Sequence, residues 1–235
     1  MIPSLKKRFW QQAHVVATPD GFEVLLDTRH LRTPSKSPLI VPTKPLAEEI
    51  AAEWEAQTKI VDPATMPMTR RANAAIDKVM VQQAEVVAML AEYGGCDLLC
   101  YRADHPVELA VQQGQVWDPV LDWASGAFGA RLLVTTGVMH VAQDPAILER
   151  MTQDVAALSP FALAGFHDLV TLSGSLVLAL ALVGEAFEPD HIWACASVDE
   201  RWQAEQWGVD DDAAVTEAAK KAAFFDAHRF FNFSE

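Results

Sequence analysis

Side chains able to support chemistry or binding are most concentrated near the end of the chain, in the segment 199–212. Its polar and aromatic members are Asp199, Glu200, Trp202, Gln203, Gln206, Trp207 and the acids Asp210–Asp212. Tryptophan beside directional polar groups is typical of the anchors of protein–protein interfaces. A solvated helix face can have the same composition, so the segment alone predicts either a partner-binding surface or an ordinary exposed face.

Motifs of the common nucleotide-binding, hydrolytic and metal-dependent sites are missing from the sequence. It contains no G-x-x-x-x-G-K phosphate loop, no G-x-G-x-x-G, no G-x-S-x-G and no H-E-x-x-H. Cys96 and Cys100 are spaced C-x₃-C with His105 downstream, which falls short of the four ligands of a structural zinc site. We therefore expect the thiols to behave as small apolar groups, and we expect neither a metal nor another cofactor.

Acidic side chains leave one enzymatic alternative open. Asp97, Asp104 and Glu200 could supply the carboxylates of a hydrolase if they lined one pocket and if burial raised a pKa. Because the catalytic motifs are missing, we expect no enzymatic activity. Asp97 and Asp104 are instead expected to neutralise Arg102 or to cap a helix.

Charge and hydropathy restrict the partners of this 235-residue chain, which has a formal charge of −14 and 51% hydrophobic residues. An acidic protein is repelled by nucleic acids and by anionic membranes. Residues 1–36 carry +3 and the remainder −17, which suits a basic protein partner as well as simple solubility. The charge-free run Leu169–Gly184 is shorter than the roughly 20 apolar residues of a membrane span. With three cysteines and no signal peptide, the chain is predicted to be soluble and intracellular, without stable membrane insertion.

The elements that position these side chains begin with a small sheet. Short strands are predicted over residues 8–41, with a turn at Thr18–Gly21 and a half-buried strand in which Val24 and Leu26 face inward. Thr43 then begins a helix that should pack across the sheet, with a proline in its first turn, where a missing N–H does no harm.

A proline-spaced joint at Met66–Met68 marks the predicted domain boundary. The predicted fold class is α+β. A small N-terminal sheet-plus-helix domain covers residues 1–65, and a larger all-α domain covers residues 66–235.

Within the helical part, the segment 168–184 is almost unbroken in its apolar character and is predicted to be one buried helix. It should orient an amphipathic helix over 191–207 that ends at a left-handed Gly208. A further helix is expected to be interrupted at Asp118-Pro119, and Asp212 is expected to cap the last helix. The segment 131–141 is ambiguous and could be extended.

Six motifs in the same order give the chain a resemblance to a known family. They are RFWQQAHV (8–15), RRANAAIDKV (70–79), DLLCYRAD (97–104), WDPVLDWA (117–124), SGSLVLALAL (173–182) and DERWQAEQWG (199–208). Over nearly its whole length the chain resembles the assembly chaperones that bind the alpha subunit of the F-type ATP synthase catalytic head. The start of the chain, which has no mitochondrial presequence, resembles that of a bacterial member.

This resemblance implies a chaperone that holds the free alpha subunit, prevents its aggregation and hands it over to the beta subunit without nucleotide hydrolysis. It also implies partner-binding residues in the last motif and in the acids after it: Glu200, Gln203, Trp207, Gly208, Asp211 and Asp212. The chain departs from the family at Ala213-Ala214, where an aromatic residue or histidine commonly follows the acid pair. A bacterial member is implied to be cytoplasmic, and the eukaryotic relatives are expected in the mitochondrial matrix.

Overall fold

The computed structural model describes residues 7–208 and 210–235. The strands are β1 (Ala13–Thr18), β2 (Gly21–Leu26), β3 (Arg29–His30), β4 (Ile40–Val41), β5 (Tyr101–Arg102) and β6 (Thr135–Thr136). The α-helices are α1 (Lys44–Glu55), α2 (Pro67–Ala74), α3 (Gln83–Gly95), α4 (Val107–Phe128), α5 (Pro145–Ala156), α6 (Pro160–Ser173), α7 (Leu176–Val183), α8 (Pro189–Ala196), α9 (Val198–Trp207) and α10 (Asp211–Ser234).

The N-terminal sheet is built around β2, which pairs antiparallel with β1, β3 and β4. Val24 and Leu26 of β2 are buried, as their alternation predicts. Gly21 begins β2 with a φ of +139°, and a Cβ at that position would lie 2.4 Å from the carbonyl oxygen of Val41. Only glycine allows β4 to approach β2 this closely.

Helix α1 begins as its sequence predicts and packs on β1 and β2. The Thr43 hydroxyl accepts a hydrogen bond from the backbone N–H of Leu46 at 3.3 Å, and Pro45 lies in the first turn. Leu46 and Ile50 are fully buried. Burial of this apolar stripe covers one face of the sheet and forms the core of the N-terminal region.

Helix α4 runs unbroken through Pro119, so the predicted interruption at Asp118-Pro119 is wrong. Proline removes one backbone hydrogen bond, but Trp117, Val120 and Leu121 on either side of it are buried. The free energy gained by burying these side chains outweighs the tendency of proline to interrupt a helix. The helix ends at Gly129, which adopts the left-handed conformation.

The apolar segment 168–184 forms two helices, α6 and α7, and the prediction of a single helix is wrong. Gly174 has a φ of +71°, and Ser175 caps α7 by accepting a hydrogen bond from Leu178 N–H at 3.0 Å. The Ser175 hydroxyl also donates to the Asp97 carboxylate at 2.7 Å. The break is therefore stabilised by a buried polar contact that hydropathy alone does not reveal, while α7 is buried from Leu176 to Leu182.

The ambiguous segment 131–141 contains the short strand β6, which pairs in parallel with β5. The backbone N–H of Gly137 extends this pairing by donating to the Arg102 carbonyl at 2.8 Å. Across the described ranges, no helix combines the length and the apolar character that crossing a membrane requires.

The chain divides into two compact units. The first comprises the described residues up to Gln83 with Leu158–Gly165 and Arg229–Glu235, and the second comprises Ala84–Ala157 with Phe166–His228. The first unit contains the four-stranded sheet and α1, whereas the second is mainly helical, which confirms the predicted α+β class. The predicted domain boundary between residues 65 and 66 stays a prediction, which limited proteolysis can test.

Candidate partner-binding surface

The predicted amphipathic helix over 191–207 is divided at Ser197 into α8 and α9. The Ser197 hydroxyl donates to the Trp193 carbonyl at 2.8 Å, and the backbone at Ser197 leaves the helical conformation. A serine that bonds back to the preceding turn bends a helix. The break separates α8, in which Ile192, Trp193 and Cys195 are buried, from the exposed face that follows.

The N-terminal end of α9 is held on α4 by a chain of polar contacts. The buried Gln113 donates to the Asp199 carboxylate at 2.8 Å and accepts from the backbone N–H of Ala103 at 2.8 Å. The Trp117 indole N–H donates to the Cys195 carbonyl at 2.8 Å, just before the bend. Because buried polar groups cost free energy when unpaired, these contacts fix where α9 begins.

The rest of α9 presents its polar face to solvent. Glu200 and Gln203 are exposed, and the Trp207 side chain is 75% exposed. The Trp202 and Trp207 rings meet edge to face with centroids 5.8 Å apart. An exposed tryptophan is the side-chain type that interface anchors favour, and the contact with a second aromatic ring restricts its rotamers.

A groove of about 790 Å³ runs between α9 and the first turns of α10. It is lined by Glu200, Arg201, Gln203, Ala204, Trp207, Gly208, Asp210, Asp212, Ala213, Ala214, Thr216, Glu217, Ala218, Lys220 and Lys221. We call these residues the α9–α10 groove. Five of the six residues that the resemblance implies therefore lie together, and Asp211 is the exception, exposed at the first position of α10.

The turn between the two helices differs in two details from the sequence prediction. Gly208 has the positive φ of +84° that glycine favours, but its ψ of 167° places it outside the left-handed helical region. The residue that caps α10 is Asp210, which accepts from the Asp212 backbone N–H at 3.3 Å, so the prediction that Asp212 is the cap is wrong. Asp212 instead lines the α9–α10 groove.

The α10 side of the groove was missed by reasoning from the sequence. It is formed by Ala213, Ala214 and Ala218, with Thr216, Glu217, Lys220 and Lys221. The sequence did contain a signal for this wall, an alanine-rich run at the start of α10 whose small side chains leave space along the helix surface. Val215 is 71% exposed in the same turns. The segment 198–221 holds seven acidic and three basic residues, so the surface is acidic as a whole.

The carboxylates of the enzymatic alternative do not line one pocket, since Asp97 has no exposed surface and the lining around Glu200 does not include Asp104. Asp97 is fully buried, and burial raises its pKa to about 6 even though Ser175, Val177 and Leu99 donate hydrogen bonds to its carboxylate. A carboxylate without exposed surface cannot meet a substrate, and its bonds hold the start of α7. Glu200 lies in the open α9–α10 groove.

Arg102 has a different partner from those predicted. Its guanidinium donates to the Asp118 carboxylate at 2.9 Å. Of the two alternatives predicted for Asp97, capping is the one observed, since its side chain accepts from the Leu99 N–H at the start of the next helical turn. Burial raises the pKa of the Cys100 thiol to about 12 and that of Cys195 to about 11, which makes both thiols unreactive. Within the part of the chain that the structure describes, no group of three or more metal-binding side chains comes together.

Comparison with known proteins gives concordant findings. The family model described as ATP12 chaperone protein matches residues 7–125. The crystal structure of Atp12 from Paracoccus denitrificans is 46% identical and superposes with a TM-score of 0.93, covering 97% of this chain and 98% of that chain. An aspartate-to-lysine mutant of the same Paracoccus protein gives 45% identity and a TM-score of 0.92 over the same shares. A candidate chaperone from Agrobacterium tumefaciens is 37% identical, with a TM-score of 0.93 over 98% of this chain and 87% of that one.

These similarities extend over nearly the whole chain and confirm the resemblance predicted from the six motifs, to chaperones of ATP synthase assembly. The chain belongs to the ATP12 chaperone protein family.

Proposed function

We propose that this chaperone binds the free alpha subunit of the F-type ATP synthase catalytic head, prevents its aggregation and hands it over to the beta subunit. The observation that carries the proposal is the α9–α10 groove, in which an exposed Trp207 stands beside Glu200 and Gln203. A protein with these groups on an open surface is equipped to bind another protein. Action by binding alone, without nucleotide hydrolysis or other catalysis, is part of the proposal.

The physical character of the groove suits a temporary complex. Trp207 and the small alanine side chains of α10 offer apolar area at the centre, and the carboxylates and amides around them require matching donors from the partner. Interfaces of this kind are more polar than obligate ones and of moderate area. Such a complex can hold an unassembled subunit and still release it when a larger, more apolar interface with the beta subunit becomes available.

The charge of the groove indicates what a partner surface must offer. The acidic segment 198–221 favours a basic or arginine-bearing surface, and long-range attraction speeds the encounter. The complex should therefore form more slowly as salt concentration rises, because surface charges are screened beyond about 8 Å at physiological ionic strength. We place this activity in the bacterial cytoplasm, where the alpha subunit is synthesised.

Size-exclusion chromatography of the chaperone with freshly refolded alpha subunit tests the proposal. We expect a discrete complex of the two proteins, less light scattering from the alpha subunit, and dissociation of the complex when beta subunit is added. Absence of a shared peak, with the alpha subunit aggregating as it does alone, would overturn the proposal. Persistence of the complex in the presence of beta subunit would contradict the handover and leave the binding intact.

A further inference from the structure

A second cavity, of about 480 Å³, lies in the second unit between α4 and the segment after it. It is lined by Arg102, Ala110, Gly114, Asp118, Arg131, Leu132, Leu133 and Val134. We call it the arginine pocket. It shares no residue with the α9–α10 groove, and none of the partner-binding residues inferred from the sequence lines it.

The wall of the arginine pocket contains a buried guanidinium that is only partly satisfied. Arg102 is 9% exposed, its Nη2 donates to Asp118 Oδ1 at 2.9 Å, and its guanidinium lies 5.0 Å from the centre of the Trp117 ring. Its Nη1 is buried and has no hydrogen-bond partner in the described structure. Burial lowers the pKa of Arg102, and an anion bound beside it would oppose that effect. Since buried charged donors are almost always paired, this nitrogen has a hydrogen-bonding capacity that the described residues do not fill.

A second guanidinium lines the pocket beside Arg102. Arg131 lies 3.6 Å from the same oxygen of Asp118 and also pairs with Asp122, which is outside the pocket lining. The two guanidinium groups thus share the Asp118 carboxylate, and Asp122 balances the charge of Arg131. A carboxylate ligand would supply the acceptor that the free Arg102 nitrogen lacks, because arginine side chains bind carboxylates through parallel hydrogen bonds.

The rim of the pocket is apolar and firmly held. Leu133 is 53% exposed although its backbone N–H and carbonyl are both bonded by the buried Gln143 amide, at 2.8 and 2.9 Å. Val134 beside it is exposed too. Val107 and Val111 are exposed on α4, within one turn of the pocket residues and on the same face of the helix. Exposed apolar side chains on a fixed backbone are typical of a surface that a partner covers.

We propose that the arginine pocket binds an aspartate or glutamate side chain of an extended polypeptide segment whose neighbouring residues are apolar. The ligand carboxylate accepts hydrogen bonds from Arg102 and Arg131. The flanking apolar side chains of the segment cover Leu133 and the exposed Val107 and Val111 of α4. An inorganic anion would leave that rim exposed, and a neutral apolar segment would leave the Arg102 nitrogen unpaired. The segment belongs to the unassembled subunit that the chaperone holds, an identification that rests on the proposed function.

A peptide titration followed by NMR of the tryptophan indole N–H groups tests the pocket without the alpha subunit. The probes are acetyl-Leu-Glu-Leu-amide and its glutamine counterpart, with inorganic phosphate as a third arm. The Trp117 indole reports on the arginine pocket because Arg102 lies over its ring, and the Trp207 indole reports on the α9–α10 groove. We expect the glutamate peptide to shift the Trp117 signal and to bind at least about 10-fold more tightly than the glutamine peptide.

Variants separate a specific pocket from general charge effects. Arg131 is exposed, so Arg131→Gln should fold normally and weaken the glutamate peptide by about 10-fold. Arg32→Gln removes the same charge from an exposed position in the first unit and should change nothing. Arg102→Lys keeps the charge of the buried group but loses its fork geometry, and it should weaken binding as well.

Three results would overturn the proposal: equal affinity for the two peptides, an equal Trp117 shift with phosphate alone, or no effect of Arg131→Gln. A failure of the proposed function would look different. In that case the glutamate peptide would bind at the arginine pocket as described, while the alpha subunit gave no complex with the wild-type chain. If both proposals hold, an excess of the glutamate peptide weakens the alpha-subunit complex, and the glutamine peptide does not.

Discussion

The buried carboxylate of Asp97 should make the free energy of unfolding depend on pH. It accepts hydrogen bonds from Leu99 N–H at 3.1 Å, Val177 N–H at 3.0 Å and the Ser175 hydroxyl at 2.7 Å. Burial nevertheless raises its pKa from 3.8 to about 6. At about 1.4 kcal/mol for each pH unit, this difference corresponds to about 3 kcal/mol of folding stability.

The sign follows from proton binding. Between pH 3.8 and 6 the folded protein holds the Asp97 proton more tightly than the unfolded chain does, so the stability contributed by this group is fully present below pH 3.8 and is lost as pH rises. About 1 kcal/mol of the loss falls between roughly pH 5.2 and pH 7.5. That range lies above the isoelectric point of about 4.8, where the protein carries a net charge that opposes precipitation.

Comparison of the wild type with Asp97→Asn isolates this effect. The asparagine keeps an oxygen for Leu99 and Ser175 but turns an amide nitrogen toward the Val177 N–H, at a pH-independent cost of about 1–3 kcal/mol. The free energy of unfolding is measured in urea across the pH range. We expect the advantage of wild type over the variant to shrink by about 1 kcal/mol as pH rises. An advantage that stays constant or grows with pH would show that the hydrogen bonds outweigh burial and would refute the reasoning.

Three further predictions concern the sheet, the support of α9 and the anchor. Gly21→Ala places a Cβ 2.4 Å from the Val41 carbonyl oxygen and should lower the free energy of unfolding by at least about 2 kcal/mol in chemical denaturation; an unchanged midpoint would contradict the close approach. Gln113→Leu leaves Asp199 and the Ala103 N–H unpaired and should lower the free energy of unfolding by about 1–3 kcal/mol. The same variant should bind the alpha subunit more weakly when affinity is measured by calorimetry. Normal affinity would show that the polar contacts do not position α9. Trp207→Ala should leave the melting temperature unchanged because the side chain is 75% exposed, yet weaken the alpha-subunit complex by about 30-fold in the same calorimetric assay; wild-type affinity would exclude Trp207 as an anchor.

Local signals in the sequence predict the parts of the fold that depend on neighbouring residues. The turn at Thr18–Gly21, the cap at Thr43 and the inward positions of β2 follow from residue types that favour one local conformation. The break at Gly174 was missed because it depends on Asp97, which is distant in sequence and bonds the Ser175 hydroxyl and the Val177 N–H. The continuity of α4 through Pro119 was missed for the same reason, since burial of its neighbours overrides the local preference.

The candidate surface shows the same division between local and long-range information. The resemblance indicated six residues, of which five lie in one groove, but it gave little information on the opposite wall formed by α10. The arginine pocket could not be predicted from the sequence, because Arg102, Asp118 and Arg131 belong to three separate segments. The sequence suggested an acid close to Arg102 in the chain as its partner, whereas Arg102 pairs with Asp118 on α4.

The most direct test of the proposed function is the affinity of the alpha subunit for a charge-reversal variant in the α9–α10 groove. Glu200→Lys is compared with wild type and with Glu149→Lys, which makes the same change at an exposed position of α5 outside the groove. We predict that Glu200→Lys raises the dissociation constant by at least about 30-fold with an unchanged melting temperature, and that Glu149→Lys binds like wild type. Equal affinity of the three proteins for the alpha subunit would contradict the assignment of the groove as the partner-binding surface.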